Sequence, residues 1–241
     1  MRHYLRLFLL GVTFLLSPNV ESGQSLDKAL SRKVDFIPNR ADVQDQLIEV
    51  AQYYKIPMGI EWFWLTNEQR ENLSIPPQPT VAALIRAIVE RAPGYRMEIS
   101  NGMVLISHSS FSKSHLNFLN LRLSEVKFDK VNVFGAQWSL RFNIHRTLHP
   151  DVYAYGSNGG YGYGHNRDDK LDVANISFVG QDVKVREALN AIVKANGNSL
   201  WVVEFVPSKM MKREPFYAQR AFGADVDEDF AWRIIPFTST P

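Results

Sequence analysis

His145 and His149 stand four residues apart, a spacing that puts both imidazoles on one face of a helix and lets them share a metal ion. With His165, Asp168 and Asp169 they would form the ligand set of a metal-dependent hydrolase. That chemistry asks for more. A metalloprotease helix of this kind carries a glutamate beside the first histidine, whereas position 146 is Arg and position 150 is Pro. The plainer reading is a pair of surface histidines near a helix end closed by Pro150, and no metal site is assigned. His108 and His115 bracket a polar linker and read as solvated.

Ser110 and Lys113 fit the S-x-x-K pattern of penicillin-recognising enzymes, but the further S-D-N and K-T-G elements that this chemistry needs do not occur. The pair lies in a Ser-rich stretch. Residues 156–159 (GSNG) are not a G-x-S-x-G elbow, and the glycines of 156–164 do not open a helix after a strand, so a phosphate cradle is not expected. Asp225, Asp227, Glu228 and Asp229 sit on a polar run without apolar shielding. An acid catalyst needs its pKa raised by burial or by a neighbour, and these read as solvated. The expectation is a chain without catalytic residues or cofactor.

The aromatics offer binding chemistry instead. Trp62 and Trp64 are two apart, so in a strand they share a face. Tyr153, Tyr155, Tyr161 and Tyr163 interleave with glycine in the run YAYGSNGGYGYGHNRDD (153–169). Such rings supply large contact area at low entropic cost, which suits a protein or glycan surface. These six are the candidate binding residues. Core packing competes for the tryptophans, and a non-binding insertion competes for the tyrosine loop. Lys209, Lys212 and Arg213 beside Met210 and Met211 make a short basic patch that reads as a solvated excursion between strands.

The 241 residues, 45% hydrophobic and 22% charged, have globular rather than disordered or fibrous composition. With 27 basic residues against 25 acidic and no long basic run, a nucleic-acid partner is not expected. The absence of cysteine excludes disulfides, thiolate metal sites and cysteine nucleophiles. At the N-terminus Arg2 and Arg6 precede an apolar run of ten, LFLLGVTFLL, closed by Ser17-Pro18. This is the pattern of a secretory leader over residues 1–22, with Val20 and Ser22 at −3 and −1 of a cut before Gly23. An apolar run of ten falls short of the roughly 20 residues that span a bilayer. The mature chain is therefore expected to be exported, periplasmic or outer-membrane associated, with no integral membrane span.

The elements that would carry these groups follow from periodicity. Residues 33–37 (KVDFI) read as a short strand, and Val43, Leu47, Val50, Ala51 and Tyr54 as one face of a helix. Residues 55–64 (KIPMGIEWFW) return to extended structure, 73–75 form another short strand, and 80–91 a second helix. Residues 95–99 and 103–107 flank Asn101-Gly102, a strong hairpin signal because both positions tolerate positive φ. Val81, Ile85, Ala87, Ile88 and Val89 then recur as Val185, Leu189, Ala191, Ile192 and Val193, all 104 positions on. Around that second helix, 120–128, 176–179, 200–206 and 230–237 read as strands. Val131, Phe134, Trp138 and Phe142 favour a helix between the first two, although Trp138, Leu140, Phe142 and Ile144 also alternate.

The run KVDFIPNRADVQDQLIEVAQYYKIPMGIEW, followed by LSIPPQPTVAALIRAIVERAPGYRMEISNGMVLI, resembles the short N-terminal domain of secretins and TonB-dependent receptors over residues 33–107. ISFVGQDVKVREALNAIVKANGNSLWVVEF (176–205) is a looser match to its second helix and the start of its closing hairpin. No secretin β-domain or receptor barrel follows in this sequence. The resemblance implies a docking unit, of the kind that stacks into rings at a secretin mouth or contacts signalling partners.

The expected architecture is α+β: two tandem β-α-β-β-α-β-β units, 33–107 and 118–237, each with helices packed on its own small sheet. A Ser-rich linker at 107–117 joins them, and the second carries the insertion at 153–169. The expected function is a non-enzymatic envelope module that binds a secretin- or receptor-type protein through sheet edges or the tyrosine loop, with self-association open. The alternatives are a glycan- or peptidoglycan-binding protein using the Tyr/Trp surface and the hydrolase above. The leader reading predicts Gly23 as the mature N-terminus, which N-terminal sequencing of the exported protein reads directly; a chain that keeps Met1 would make the segment an uncleaved anchor.

Overall fold

The computed structural model describes residues 26–63, 79–109, 117–148, 150, 176–197, 199–205 and 230–237. In the first half a short helix α1 (Leu26–Ser31) precedes α2 (Val43–Tyr54), β1 (Met58–Phe63), α3 (Val81–Glu90), β2 (Tyr95–Ser100) and β3 (Met103–His108). After one turn of 3-10 helix at Phe118–Asn120 come β4 (Arg122–Val131), α4 (Val133–Leu148), β5 (Ile176–Lys184), α5 (Val185–Asn196), β6 (Ser199–Phe205) and β7 (Phe230–Pro236).

Local chemistry sets the element ends. Asp42 stays extended and its carboxylate accepts from the N–H groups of Gln44 and Asp45, at 2.7 and 3.2 Å, so α2 starts there. Thr80 caps α3 by accepting from Ala83 N–H, and the Glu187 carboxylate accepts from Lys184 N–H at the start of α5. Asn101 and Gly102 both have positive φ, 51° and 73°, the two-residue turn whose twist suits an antiparallel hairpin. Positions 104 apart are wired alike: Val81 N–H donates to Arg32 O at 2.9 Å, and Val185 N–H to Leu121 O at 3.0 Å. The opening strand expected at 33–37 shrinks to one antiparallel bridge, Lys33 with Thr80. The strand expected at 73–75 lies outside the described residues.

The class is α+β, but the strands of the two halves do not keep to separate sheets. Five strands form one sheet in the order β2-β3-β1-β6-β7, and β4 and β5 form an antiparallel ribbon of their own. β1 pairs in parallel with β3 on one side and with β6 on the other, matching Met58 to Leu200 through Phe63 to Phe205. β7 therefore closes this shared sheet instead of a second one. The cause is burial. A parallel pair is stable where helices cover both faces, and each half supplies one cover. Met58, Ile60, Trp62, Val104, Ile106, Leu200 and Val202 pack with α1, α2 and α3 on one face. Met103, Trp201, Val203, Phe205, Trp232 and Ile234 pack with α4 and α5 on the other, and the ribbon packs against the same two helices. All seven residues of β6 are buried.

Gly59 is what lets the seam close. It lies opposite Trp201 in the register, and a Cβ placed on it would meet that indole at 2.3 Å. The ring cannot swing aside: it is buried in the second core, and its Nε1–H donates to Asn190 Oδ1 on α5 at 2.8 Å. An alanine in a strand ordinarily stabilises relative to glycine. Here Gly59→Ala should instead cost about 1–3 kcal/mol, the range for an overpacked core. Urea unfolding of the variant measures it, and an unchanged or raised midpoint would mean that Trp201 does not need the space.

Candidate docking surfaces

β1 and β6 each bring a carboxylate into the interior, on opposite faces of the sheet. Glu61, 3% exposed, accepts from Asn117 Nδ2 at 3.0 Å and pairs with the Arg186 guanidinium of α5 at 2.6 Å. Burial pushes its pKa up against the opposing pull of Arg186 and Asn117. Glu204, 4% exposed, accepts from Gln44 Nε2 of α2 at 2.6 Å, while its other oxygen has no hydrogen-bond partner among the described residues. Burial raises this carboxyl too, opposed by Gln44 and by Arg233 and reinforced by Asp42 and Asp45. Each glutamate is held by a residue from the other half of the chain. Closed in by helices, they act as cross-braces between layers.

The outward surface is elsewhere. On α4, Val133, Ala136, Leu140 and Ile144 face the core, as a helix of this pitch requires for one buried stripe. Phe134, Trp138 and Phe142, each four residues on from the last, lie on the opposite side and are 51%, 41% and 42% exposed. Phe134 meets Trp138 edge-on with centroids 6.0 Å apart, and the Arg141 guanidinium lies 5.8 Å from the Trp138 centroid. Three large rings in one exposed row are uncommon on a surface that has no partner. A second feature is the outer edge of β2, which among the described residues pairs only with β3 and carries Ile99, 47% exposed.

The structure takes Trp62 out of the set of binding candidates. It is 2% exposed and stacks on Tyr95 at 4.5 Å, so core packing uses its ring and leaves no surface for a ligand. Trp64 and the tyrosines at 153, 155, 161 and 163 lie outside the described residues. So do His149, His165, Asp168, Asp169, the Ser110–Lys113 pair, the basic patch at 209–213 and the acidic run at 225–229. His145 is on α4, half-buried beside the aromatic row. Among the described residues no three His, Asp or Glu side chains group as metal ligands, and no helix is long and apolar enough to cross a membrane.

The sequence had pointed to Phe134, Trp138 and Phe142 only as evidence for a helix. The signal for more was present: α4 has two apolar stripes on opposite sides, and a helix packed on one side can bury only one. Compared with models of protein families, with curated proteins and with solved structures, the chain matches none.

The buried glutamates predict a pH dependence. A carboxyl whose pKa is raised in the folded state contributes stability that is fully present below its ordinary value, near 4.5, and is lost as pH rises through the raised one. The chain should therefore lose stability from Glu61 and Glu204 as pH rises above about 4.5. Glu204→Gln keeps an oxygen for Gln44 and removes the titration, so it should flatten that slope. Urea midpoints of both proteins at pH 5 and pH 8 decide it; parallel pH profiles would refute the assignment.

Proposed function

We propose that this chain is a non-catalytic docking module of the cell envelope, exported by its leader, that binds another envelope protein of the secretin or TonB-dependent-receptor type. The single observation that carries the reading is the exposed row of Phe134, Trp138 and Phe142 on α4. Aromatic anchors four residues apart are how a helix engages a partner's groove, and Trp with neighbouring Arg dominates interface energetics. The row is held rigidly, because Ala136, Leu140 and Ile144 fasten the same helix to the core. Rigid presentation lowers the entropic cost of binding. The resemblance of residues 33–107 supports the envelope setting, and the edge of β2, without a further strand among the described residues, offers a second contact by strand addition.

A glycan or wall-polymer ligand would need an open ring face to stack on. The Arg141 guanidinium sits over the ring of Trp138, which favours the protein partner.

Capture of the mature chain, residues 23–241, from crosslinked envelope should give one stoichiometric partner. Trp138→Ala should weaken that complex by about 2 kcal/mol or more, roughly 30-fold in Kd. Because the ring points outward, the unfolding free energy should change by less than about 0.5 kcal/mol. Recovery of the wild-type chain alone, or retention on insoluble cell wall that Trp138→Ala abolishes, would overturn the docking reading.

A further inference from the structure

We propose that the surface receiving α4 is an apolar groove in a partner protein, lined along one rim and at one end by carboxylates; this rests on the docking reading above. The argument is the charge pattern around the aromatic row. Between Val133 and Leu148 the helix has no acidic side chain. Its charged and titratable groups are Arg141, His145 and Arg146. Helical spacing fixes where they lie. Phe134, Trp138, Phe142 and Arg146 form one ridge at four-residue intervals, so Arg146 ends the row. Arg141 and His145 form the adjacent ridge, three residues on from Trp138 and Phe142. The other border carries the small neutral residues Gly135 and Ser139. The rings from Phe134 to Phe142 span about 12 Å of helix axis, a short single file with Arg141 alongside and Arg146 at its C-terminal end.

Three occupants compete for such a face, and the pattern separates them. A second copy would set α4 against α4, and neither helix carries a carboxylate to receive Arg141 or Arg146. Like charges meeting across an interface cost several kcal/mol. A lipid surface takes helices with a broad apolar face and many cations, four to eight in a basic cluster, each worth about 1 kcal/mol. This helix has a single row of rings and two arginines. A protein groove needs only aromatic anchors at helical spacing, with opposite charge where the cations fall. Arg141 already lies over Trp138, so a carboxylate that engages its guanidinium also covers the exposed ring.

The test places a photo-crosslinking amino acid at Ser139, beside the row but outside it, in the full chain expressed in its own host. The expected result is an adduct with one other protein. Its yield should fall at least about ten-fold when Arg141→Glu and Arg146→Glu are combined, and stay within about three-fold when both are lysine, since the lost attraction is electrostatic. Circular dichroism and urea unfolding of the purified mature variants check that the fold survives. An adduct unchanged by charge reversal would overturn the acidic rim and leave the docking reading standing. No protein adduct at all would overturn both. A crosslinked dimer of this chain would overturn the proposal in favour of self-association. Binding of the mature chain to vesicles of equal phosphatidylglycerol and phosphatidylcholine, lost in Trp138→Ala, would overturn it in favour of the membrane.

Discussion

Everything in this molecule depends on one parallel seam, the pairing of Met58–Phe63 with Leu200–Phe205. Parallel strands need cover on both faces, and among the described residues each half supplies helices to one face only. The seam solves this by sharing. Helices α1 to α3 close one face, α4 and α5 the other, and β6 is buried along its full length as a result. The close approach of Trp201 to Gly59 and the two buried glutamates all follow from bringing these strands together.

Those glutamates suit the location better than first appears. An ionised carboxylate in a low-dielectric interior is costly, and polar partners offset that cost only if their geometry is good. Glu61 and Glu204 draw their partners from opposite halves, so each bond forms only when the layers are in register. An apolar pair would fill the volume but would not distinguish one strand alignment from its neighbour, where every side chain changes face.

Much of the fold was legible from local signals. The stripes of α2, α3 and α5, the Asn101-Gly102 turn and the strands at β4 through β7 all rest on short-range pattern. Strand partnership was not legible in that way. Period-two alternation says which face a residue buries, and it is silent on which strand lies alongside. The repeat at 104 positions suggested a sheet for each half, whereas β1 took β6 as a neighbour. A hint existed: MGIEWF and SLWVVEF have little polar alternation, which is the mark of strands covered on both sides. On α4 the spacing of Phe134, Trp138 and Phe142 marks a helix without saying which side is buried. The larger aromatics invite burial, but the smaller Ala136, Leu140 and Ile144 fit between the sheet and the ribbon, and the rings turn out. Trp62 went the opposite way, taken up by Tyr95 and the first core.

The seam also dictates a history for the chain. In sequence β1 lies far from β6, whereas β3 reaches it across a much shorter stretch. Without β6, β1 would lie on the rim of a three-stranded sheet, with α2 and α3 over one face and the other bare at Met103 and Leu105. Closing a loop that long costs entropy before any contact rewards it, so the joining of β6 is the late and slow event of folding. An unpaired rim with apolar surface is the species most prone to aggregate. For this architecture the hazard lies in any state in which the first half stands without β6.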